Sequence, residues 1–175
     1  SHAREDLRSR PTLRLLNPRD GRIRHGMFLG VGAIVDATLY CQRAFNDKGV
    51  TGSTAPLKVL AGAVWKAMTK PADFSDPTRF DRPYDITIRK GDGVVCSGQQ
   101  LMAMSTTLEK LVLHARPFWG GKVGPIRSTV LPYPVPNLVR WLVPTLYGTE
   151  RRKGPPGARS FSTDRFEIES PHLFV

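Results

Sequence analysis

Short apolar segments recur along the chain and predict a fold made mainly of strands. In most of them, apolar residues occupy every second position or form a brief run bounded by turn-forming residues, which is the pattern of β-strands. The segments cover residues 12–16, 26–34, 84–89, 94–105, 126–133, 161–169 and 173–175. Gly91-Asp92-Gly93 joins two alternating segments, so its glycines are interpreted as the turn of a hairpin.

Three further segments have helical spacing. Residues 37–45 and 57–68 each place their apolar side chains on one helical face, and residues 137–148 form a shorter segment that Pro144 interrupts. Strands outnumber helices and come in hairpins. The sequence therefore predicts a mainly β (α+β) fold, a two-layer antiparallel β-sandwich with two or three helices packed on it.

The composition is that of one folded domain, with 175 residues of which 40% are hydrophobic and 9% aromatic. We assign residues 1–10 to a disordered, linker or tag-derived segment and residues 11–175 to the domain. No apolar run approaches the roughly 20 residues that span a bilayer, so a cytoplasmic protein is predicted. Cys41 and Cys96 match no zinc or redox spacing. Two reduced thiols are expected in a cytosolic protein, and a disulfide between them is the alternative that the sequence leaves open.

The chain is strongly basic, with a formal net charge of +11 and 18 Arg against 8 Lys. Seven of the Arg fall within residues 1–25, beside three acidic residues. An excess of this size predicts an anionic partner, and nucleic acid, a phosphorylated ligand and an acidic membrane surface are all open at this point. The four histidines are scattered without the spacing of metal ligands, so no metal site is predicted.

The glycine-rich segment at residues 26–34 is the first candidate site. Gly30 and Gly32 have no side chain, so a neighbouring backbone or a ligand could approach them closely. The segment starts like a dinucleotide-binding fingerprint but lacks its final small residue, which argues against a Rossmann fold. Asp36 follows, and three roles are open to it: the N-cap of the next helix, an acid in a cleft, or a carboxylate that holds an Arg.

The second candidate site is the block of residues 105–127, in which Phe-Trp-Gly-Gly at 118–121 lies among basic residues. This combination fits a packed corner where a loop leaves a strand, and it also fits a loop that faces a ligand. The candidate ligand-facing residues of the block are Arg116, Trp119, Gly120, Gly121, Lys122 and Arg127.

The order of these motifs resembles the C-terminal half of the catalytic region in bacterial members of the diacylglycerol kinase and sphingosine kinase superfamily of lipid kinases. The resemblance covers roughly residues 11–175. It rests on Gly-Val-Gly-Ala-Ile-Val-Asp at 30–36 and on the hairpin that ends at Met104. Its most specific part is Thr-Leu-Glu-Lys-Leu from residue 107, followed by Arg-Pro-Phe-Trp-Gly-Gly at 116–121 and Gly-Pro-Ile at 124–126.

The resemblance implies the second lobe of a two-domain kinase, a β-sandwich that closes a cleft over ATP and lipid against an N-terminal nucleotide-binding domain. ATP and Mg²⁺ are then expected in the full-length parent, and neither is expected in this chain alone. The catalytic base is implied beyond Val175, in an Asp-Gly-Glu type segment, so the isolated chain is expected to be inert. The candidate residues of both sites would line the cleft. The parent would contact the anionic inner face of the membrane peripherally to reach diacylglycerol or a similar lipid.

Two other functions are compatible with the sequence. A basic, non-catalytic β module could bind nucleic acid or another anionic surface. Nucleic acid is disfavoured because the Arg-rich N-terminus has no aromatic residue before Phe28, whereas single-strand binders interleave aromatic and basic residues. A structural lobe could instead bury its glycine-rich strand and the aromatic residues at 118–119 against another domain.

Overall fold

A computed structural model describes residues 11–16, 20–39, 62, 82–111, 114–147, 154–170 and 173–174. These residues form a mainly β domain of three antiparallel sheets, accompanied by helix α1 at residues 33–39 and helix α2 at Leu138–Leu146. The segment predicted as a helix at 57–68 lies outside the described residues except for Gly62, which is helical. Residues 1–10 and Cys41 lie outside them as well.

Eleven strands occur in the described part of the chain, and most match the alternating segments of the sequence. They are β1 Leu13–Leu15, β2 Arg24–Gly26, β3 Phe28–Gly32, β4 Tyr84–Asp85, β5 Thr87–Lys90, β6 Gly93–Cys96, β7 Gln99–Thr106, β8 Ile126–Pro132, β9 Arg159–Thr163, β10 Glu167–Glu169 and β11 Leu173–Phe174. The predicted turn at Gly91-Asp92-Gly93 is confirmed, since β5 and β6 pair across it and Gly91 has a positive φ of 56°.

The largest sheet has six strands in the order β11-β3-β7-β8-β9, with β4 paired to the end of β7. Its antiparallel register gives it two distinct faces, because side chains alternate along each strand. We define the inner face by the row that contains Val31, Ala103 and Val130. The outer face is defined by the row that contains Gly30, Met104, Thr129 and Ser160.

The second layer is a three-stranded sheet, β10-β5-β6, that packs on the inner face. Ile88 of β5 and Val31 of β3 are completely buried and belong to one hydrophobic cluster. Removal of this apolar surface from water is the main force that holds the two layers together. The predicted mainly β, two-layer antiparallel sandwich is confirmed.

Three predicted strands are each divided between the two layers. The segment at 84–89 separates at Ile86 into β4, which pairs with β7 in the main sheet, and β5 in the three-stranded sheet. The segment at 94–105 was expected to be continuous, but it separates into β6 and β7 at Gly98, whose φ is +96° and whose carbonyl accepts the Ile86 N–H at 3.0 Å. The segment at 161–169 separates into β9 and β10, because the Thr163 hydroxyl bonds the backbone of Arg165 and turns the chain. All three breaks let the chain cross from one layer to the other.

Helix α2 runs through Pro144, where the sequence predicted an interruption. Proline removes one backbone donor from the helix. The helical hydrogen bonding nevertheless continues past it, because the Tyr147 N–H donates to the Val143 carbonyl at 3.0 Å. The Leu146 carbonyl then accepts the N–H of Arg116 at 2.7 Å. This bond fixes the start of the second candidate block beside the end of α2.

The thiol of Cys96 is free and half-buried on β6, in line with the predicted reduced state. Burial is the largest effect on the pKa of this thiol and raises it above its usual value, which keeps the sulfur protonated and unreactive at neutral pH.

Candidate functional site

The glycine-rich segment forms strand β3 and ends abruptly at Gly32, where α1 begins. Gly32 has a φ of +76°, and a Cβ there would lie 2.7 Å from the Leu101 carbonyl oxygen of β7. A Cβ on Gly30 would lie 2.7 Å from the Cγ2 of Ile34, which packs on the outer face. Both glycines are therefore required by the packing of the chain on itself, and neither presents open space to a ligand.

Asp36 lies inside α1, because the helix begins at residue 33, so the predicted N-cap role is wrong. Its Oδ2 atom accepts hydrogen bonds from Nε of Arg82 at 3.1 Å and from Nη2 of the same guanidinium. It also accepts a hydrogen bond from the hydroxyl of Tyr84. Of the three roles open to it, the structure selects the carboxylate that holds an Arg. We refer to Asp36, Arg82 and Tyr84 as the polar clamp.

The polar clamp is closed on itself. Nε of Arg82 lies 3.0 Å from the Tyr84 hydroxyl, and the guanidinium carbon lies 5.9 Å from the centre of the Tyr84 ring. The side chains of Arg82 and Asp36 are 33% and 25% exposed, so the ion pair is partly shielded from water. The clamp therefore fastens α1 to strand β4 through charge-assisted hydrogen bonds.

The pKa values of the clamp keep its charges fixed at neutral pH. Burial, reinforced by the hydrogen bond to Asp36, raises the pKa of Tyr84 to about 12. The pKa of Arg82 is raised above its ordinary value, mainly by the hydrogen bond to Tyr84 and also by the one to Asp36, although burial acts in the opposite direction. Tyr84 thus remains a neutral donor and Arg82 a cation. Because Asp36 already accepts from both, its carboxylate is engaged in positioning α1.

Arg82 and Tyr84 were not singled out by the sequence. Tyr84 was predicted only as an inward-facing position of an alternating strand, which its 8% exposure confirms, but its hydroxyl reaches past the core to Asp36. A buried tyrosine requires a partner for its hydroxyl, and an Arg two positions earlier in the chain was the available signal. The separation of 46 residues between Asp36 and Arg82 hid the pair.

The second candidate block forms a loop at residues 116–125, which we call the docked loop, and it lies on the outer face over β8 and β9. Small hydroxyl side chains of the sheet hold it in place. The Ser160 hydroxyl accepts a hydrogen bond from the backbone N–H of Trp119 at 3.0 Å, and the Ser162 hydroxyl accepts one from the backbone N–H of Val123 at 2.7 Å. The buried Thr129 hydroxyl donates to the Pro117 carbonyl. The sheet thus satisfies the loop's backbone, as buried polar groups require.

Two glycines allow this loop to approach the backbone of β9. A Cβ on Gly120 would lie 2.3 Å from backbone atoms of Phe161, and one on Gly124 would lie 2.3 Å from the backbone of Thr163. A third glycine, Gly154, lies under the ring of Trp119, with 2.6 Å between its hypothetical Cβ and the ring. These contacts describe a packed corner, one of the two interpretations that the sequence left open. Gly124 was part of the matched motif but was not chosen as a site residue.

The other part of the loop is open. Gly121 has a φ of +80° and no atom within 4 Å of a hypothetical Cβ, Lys122 is exposed, and the side chain of Val123 is 81% exposed. Arg127 of β8 stands opposite Ser162 in the register and so lies on the outer face where the loop is seated. The structure therefore brings Lys122 and Arg127 to one region.

The two candidate sites are separated across the main sheet. Strands β3 and β9 are three strand spacings apart in the sheet, which corresponds to about 14 Å. Arg116 is exposed and lies beside the end of α2. No small group could contact both sites at once, so a ligand common to both must be extended.

No protein-family model matches the chain, and no curated protein sequence matches it. Within the described part of the chain, no helix combines the length and apolar character needed to cross a bilayer. In that same part, no three His, Cys, Asp or Glu side chains form a group that could hold a metal ion. The function must therefore be argued from the motifs and from the two sites.

Proposed function

We propose that this chain is the C-terminal β-sandwich lobe of an ATP-dependent lipid kinase, which phosphorylates the hydroxyl of diacylglycerol or a similar lipid. The observation that carries the proposal is that both motif blocks behind the lipid-kinase resemblance belong to the main sheet of an antiparallel sandwich, one as strand β3 and the other as the docked loop on the outer face. A sandwich is the fold that the resemblance implies for this lobe.

Two cations give this face a chemical role in phosphoryl transfer: Lys122 is exposed in the docked loop, and Arg127 is part-buried on β8 beside it. The reaction depends mainly on positioning and on stabilisation of negative charge, so a lobe can contribute without supplying a nucleophile. Lys122 and Arg127 are the cations that would stabilise charge on the transferred phosphoryl group. The hydroxyls of Ser160 and Ser162, which hold the backbone of the docked loop, would keep these cations in position.

The remaining parts of the reaction are assigned outside the described residues. No group of His, Cys, Asp or Glu among them fits a metal ion, so the proposal places ATP and Mg²⁺ with a separate nucleotide-binding domain. The catalytic base is likewise placed in an Asp-Gly-Glu type segment outside residues 1–175. Asp36 is a positioning residue, because its carboxylate is held by Arg82 and Tyr84.

The test is transfer of labelled phosphate from ATP to a panel of hydroxyl lipids by the full-length protein that contains this chain. Transfer to at least one lipid is expected, and none is expected from residues 1–175 alone. Arg127→Gln should lower kcat by about ten- to a hundredfold, because a preorganised cation near the transferring group is lost. Arg89→Gln is the matched control, since Arg89 lies on β5 in the other layer and pairs with Glu169.

Absence of transfer to every lipid would overturn the proposal. Equal activity of the Arg127→Gln and Arg89→Gln proteins would exclude a role for Arg127 in the reaction. A salt-dependent shift of nucleic acid in a gel, with no lipid phosphorylation, would instead favour the basic binding module.

A further inference from the structure

The β1–β2 hairpin stands apart from the two layers of the sandwich. Its strands pair with each other and with no other described strand. The register places Arg14 opposite His25 and Leu15 opposite Arg24. Leu13 is buried at the base, whereas the hairpin becomes exposed toward its turn. It is therefore a ribbon attached to the sandwich at one end.

Exposed apolar side chains gather on this ribbon. Leu16 directly follows β1, and Ile23 directly precedes β2. Because side chains alternate along a strand, both lie on the face that bears Arg14 and His25. Leu16 is 49% exposed, Ile23 is 55% exposed, and Met27 at the base is 40% exposed. Large apolar side chains grouped in this way, with polar residues around them, mark a surface that binds something.

The charge of the ribbon identifies the kind of partner. Arg14 and Arg22 are exposed and have no acidic partner among the described residues, whereas Arg24 forms an ion pair with Asp20. By contrast, the three-stranded sheet and its turn carry charges of both signs, with Asp92, Glu167 and Glu169 exposed beside Arg89 and Lys90. An anionic surface would therefore attract the hairpin more than the opposite layer.

We propose that the β1–β2 hairpin is the element that docks the protein on an anionic phospholipid bilayer. Leu16 and Ile23 enter the headgroup region, while Arg14 and Arg22 contact lipid phosphates. A bilayer accepts both kinds of side chain, whereas a nucleic-acid backbone offers no partner to the apolar pair. The inference rests on the proposed lipid kinase for its choice of a bilayer, because such an enzyme must reach a substrate held in a membrane.

The test is co-sedimentation of the 175-residue chain with vesicles of phosphatidylglycerol and phosphatidylcholine, compared with vesicles of phosphatidylcholine alone. The double variant Leu16→Ser/Ile23→Ser should bind the anionic vesicles about tenfold more weakly or worse. The matched control is Val94→Ser, because Val94 is 58% exposed and lies on β6 of the three-stranded sheet. Vesicle binding by this variant should not change. Arg14→Gln and Arg22→Gln should each weaken binding about fivefold, and Arg89→Gln should not.

Circular dichroism verifies that each variant is folded, which is expected because the altered side chains are exposed. Equal vesicle binding by the Leu16→Ser/Ile23→Ser and Val94→Ser chains would overturn the hairpin proposal. Unchanged vesicle binding combined with weaker association between this chain and a nucleotide-binding domain would also overturn it, by identifying the ribbon as an interdomain contact. Vesicle binding that depends on the hairpin, together with no phosphate transfer by the full-length protein, would overturn the kinase assignment alone.

Discussion

The polar clamp and the docked loop solve the same problem in different ways. Each fastens a segment to the main sheet at a glycine-rich motif. The clamp uses one ion pair and a tyrosine hydroxyl to hold α1. The loop uses neutral hydroxyls and direct backbone contact through Gly120 and Gly124. In the clamp, the charges of Asp36 and Arg82 are paired with each other. In the loop, the cation of Lys122 is exposed and available to a ligand.

This difference divides the candidate residues into those that hold the chain in position and those that are free to contact a ligand. Gly30, Gly32 and Asp36 are engaged with their own chain. Gly120 and Trp119 are engaged as well, since both are packed on neighbouring backbone. Gly121 and Lys122 remain open. The part of each motif that identifies it in the sequence is therefore mostly the part that holds the fold.

The largest expected effect distinguishes the closed glycines of the loop from the open one. Gly120→Ala should lower the free energy of unfolding by about 3 kcal/mol or more, because its Cβ would overlap the Phe161 backbone. Gly121→Ala should cost about 1–2 kcal/mol, which arises from its positive φ alone. Gly93→Ala, with neither constraint, is the control and should change stability by less than about 1 kcal/mol.

Urea unfolding followed by circular dichroism measures all three variants. If Gly120→Ala unfolds at the same urea concentration as Gly93→Ala, the docked loop is not packed on β9 as described. The contrast with the clamp would then disappear, because both segments would be held by side chains only.

A smaller effect is expected when the charge of the clamp is removed. Asp36→Asn should lower the free energy of unfolding by about 1–2 kcal/mol, because Arg82 and Tyr84 lose a partly shielded carboxylate acceptor. Asp20→Asn breaks a carboxylate–Arg pair whose side chains are 44% and 43% exposed, and should cost less than about 0.5 kcal/mol. Equal losses in urea unfolding would show that the clamp is no stronger than a surface pair.

A pH dependence is also expected, and it belongs to the clamp and not to the loop. The pKa of Tyr84 rises from its ordinary value of 10.0 to about 12, so between these values the folded state binds a proton that the unfolded state has released. Stability should therefore decrease as the pH rises from 10 to 12, and this contribution should be fully present below pH 10.

Tyr84→Phe removes this titration, so its free energy of unfolding should vary less over that range than that of the natural chain. Thermal unfolding at several pH values measures the difference between the two proteins. Tyr133→Phe serves as the control. Parallel pH curves for the natural and Tyr84→Phe chains would contradict the assigned role of the hydroxyl.

The strand pattern was predictable because it depends on local alternation. Segments 12–16 and 126–133 match β1 and β8 closely, and the hairpin turn at Gly91-Asp92-Gly93 follows from glycine conformation. The breaks at Ile86, Gly98 and Thr163 were missed, because alternation continues across a point where the chain changes sheet. Only the packing of two layers requires the chain to cross there.

The sequence by itself determined the fold class, the basic character of the chain and the two glycine motifs that mark its sites. These depend on residue type and on spacing over a few positions. The tertiary structure alone decided that Arg82 meets Asp36 across 46 positions, that Gly120 rests on β9, and that Arg127 lies on the outer face with the docked loop. Such facts depend on sheet register and on contacts between distant segments, for which a single sequence carries no local signal.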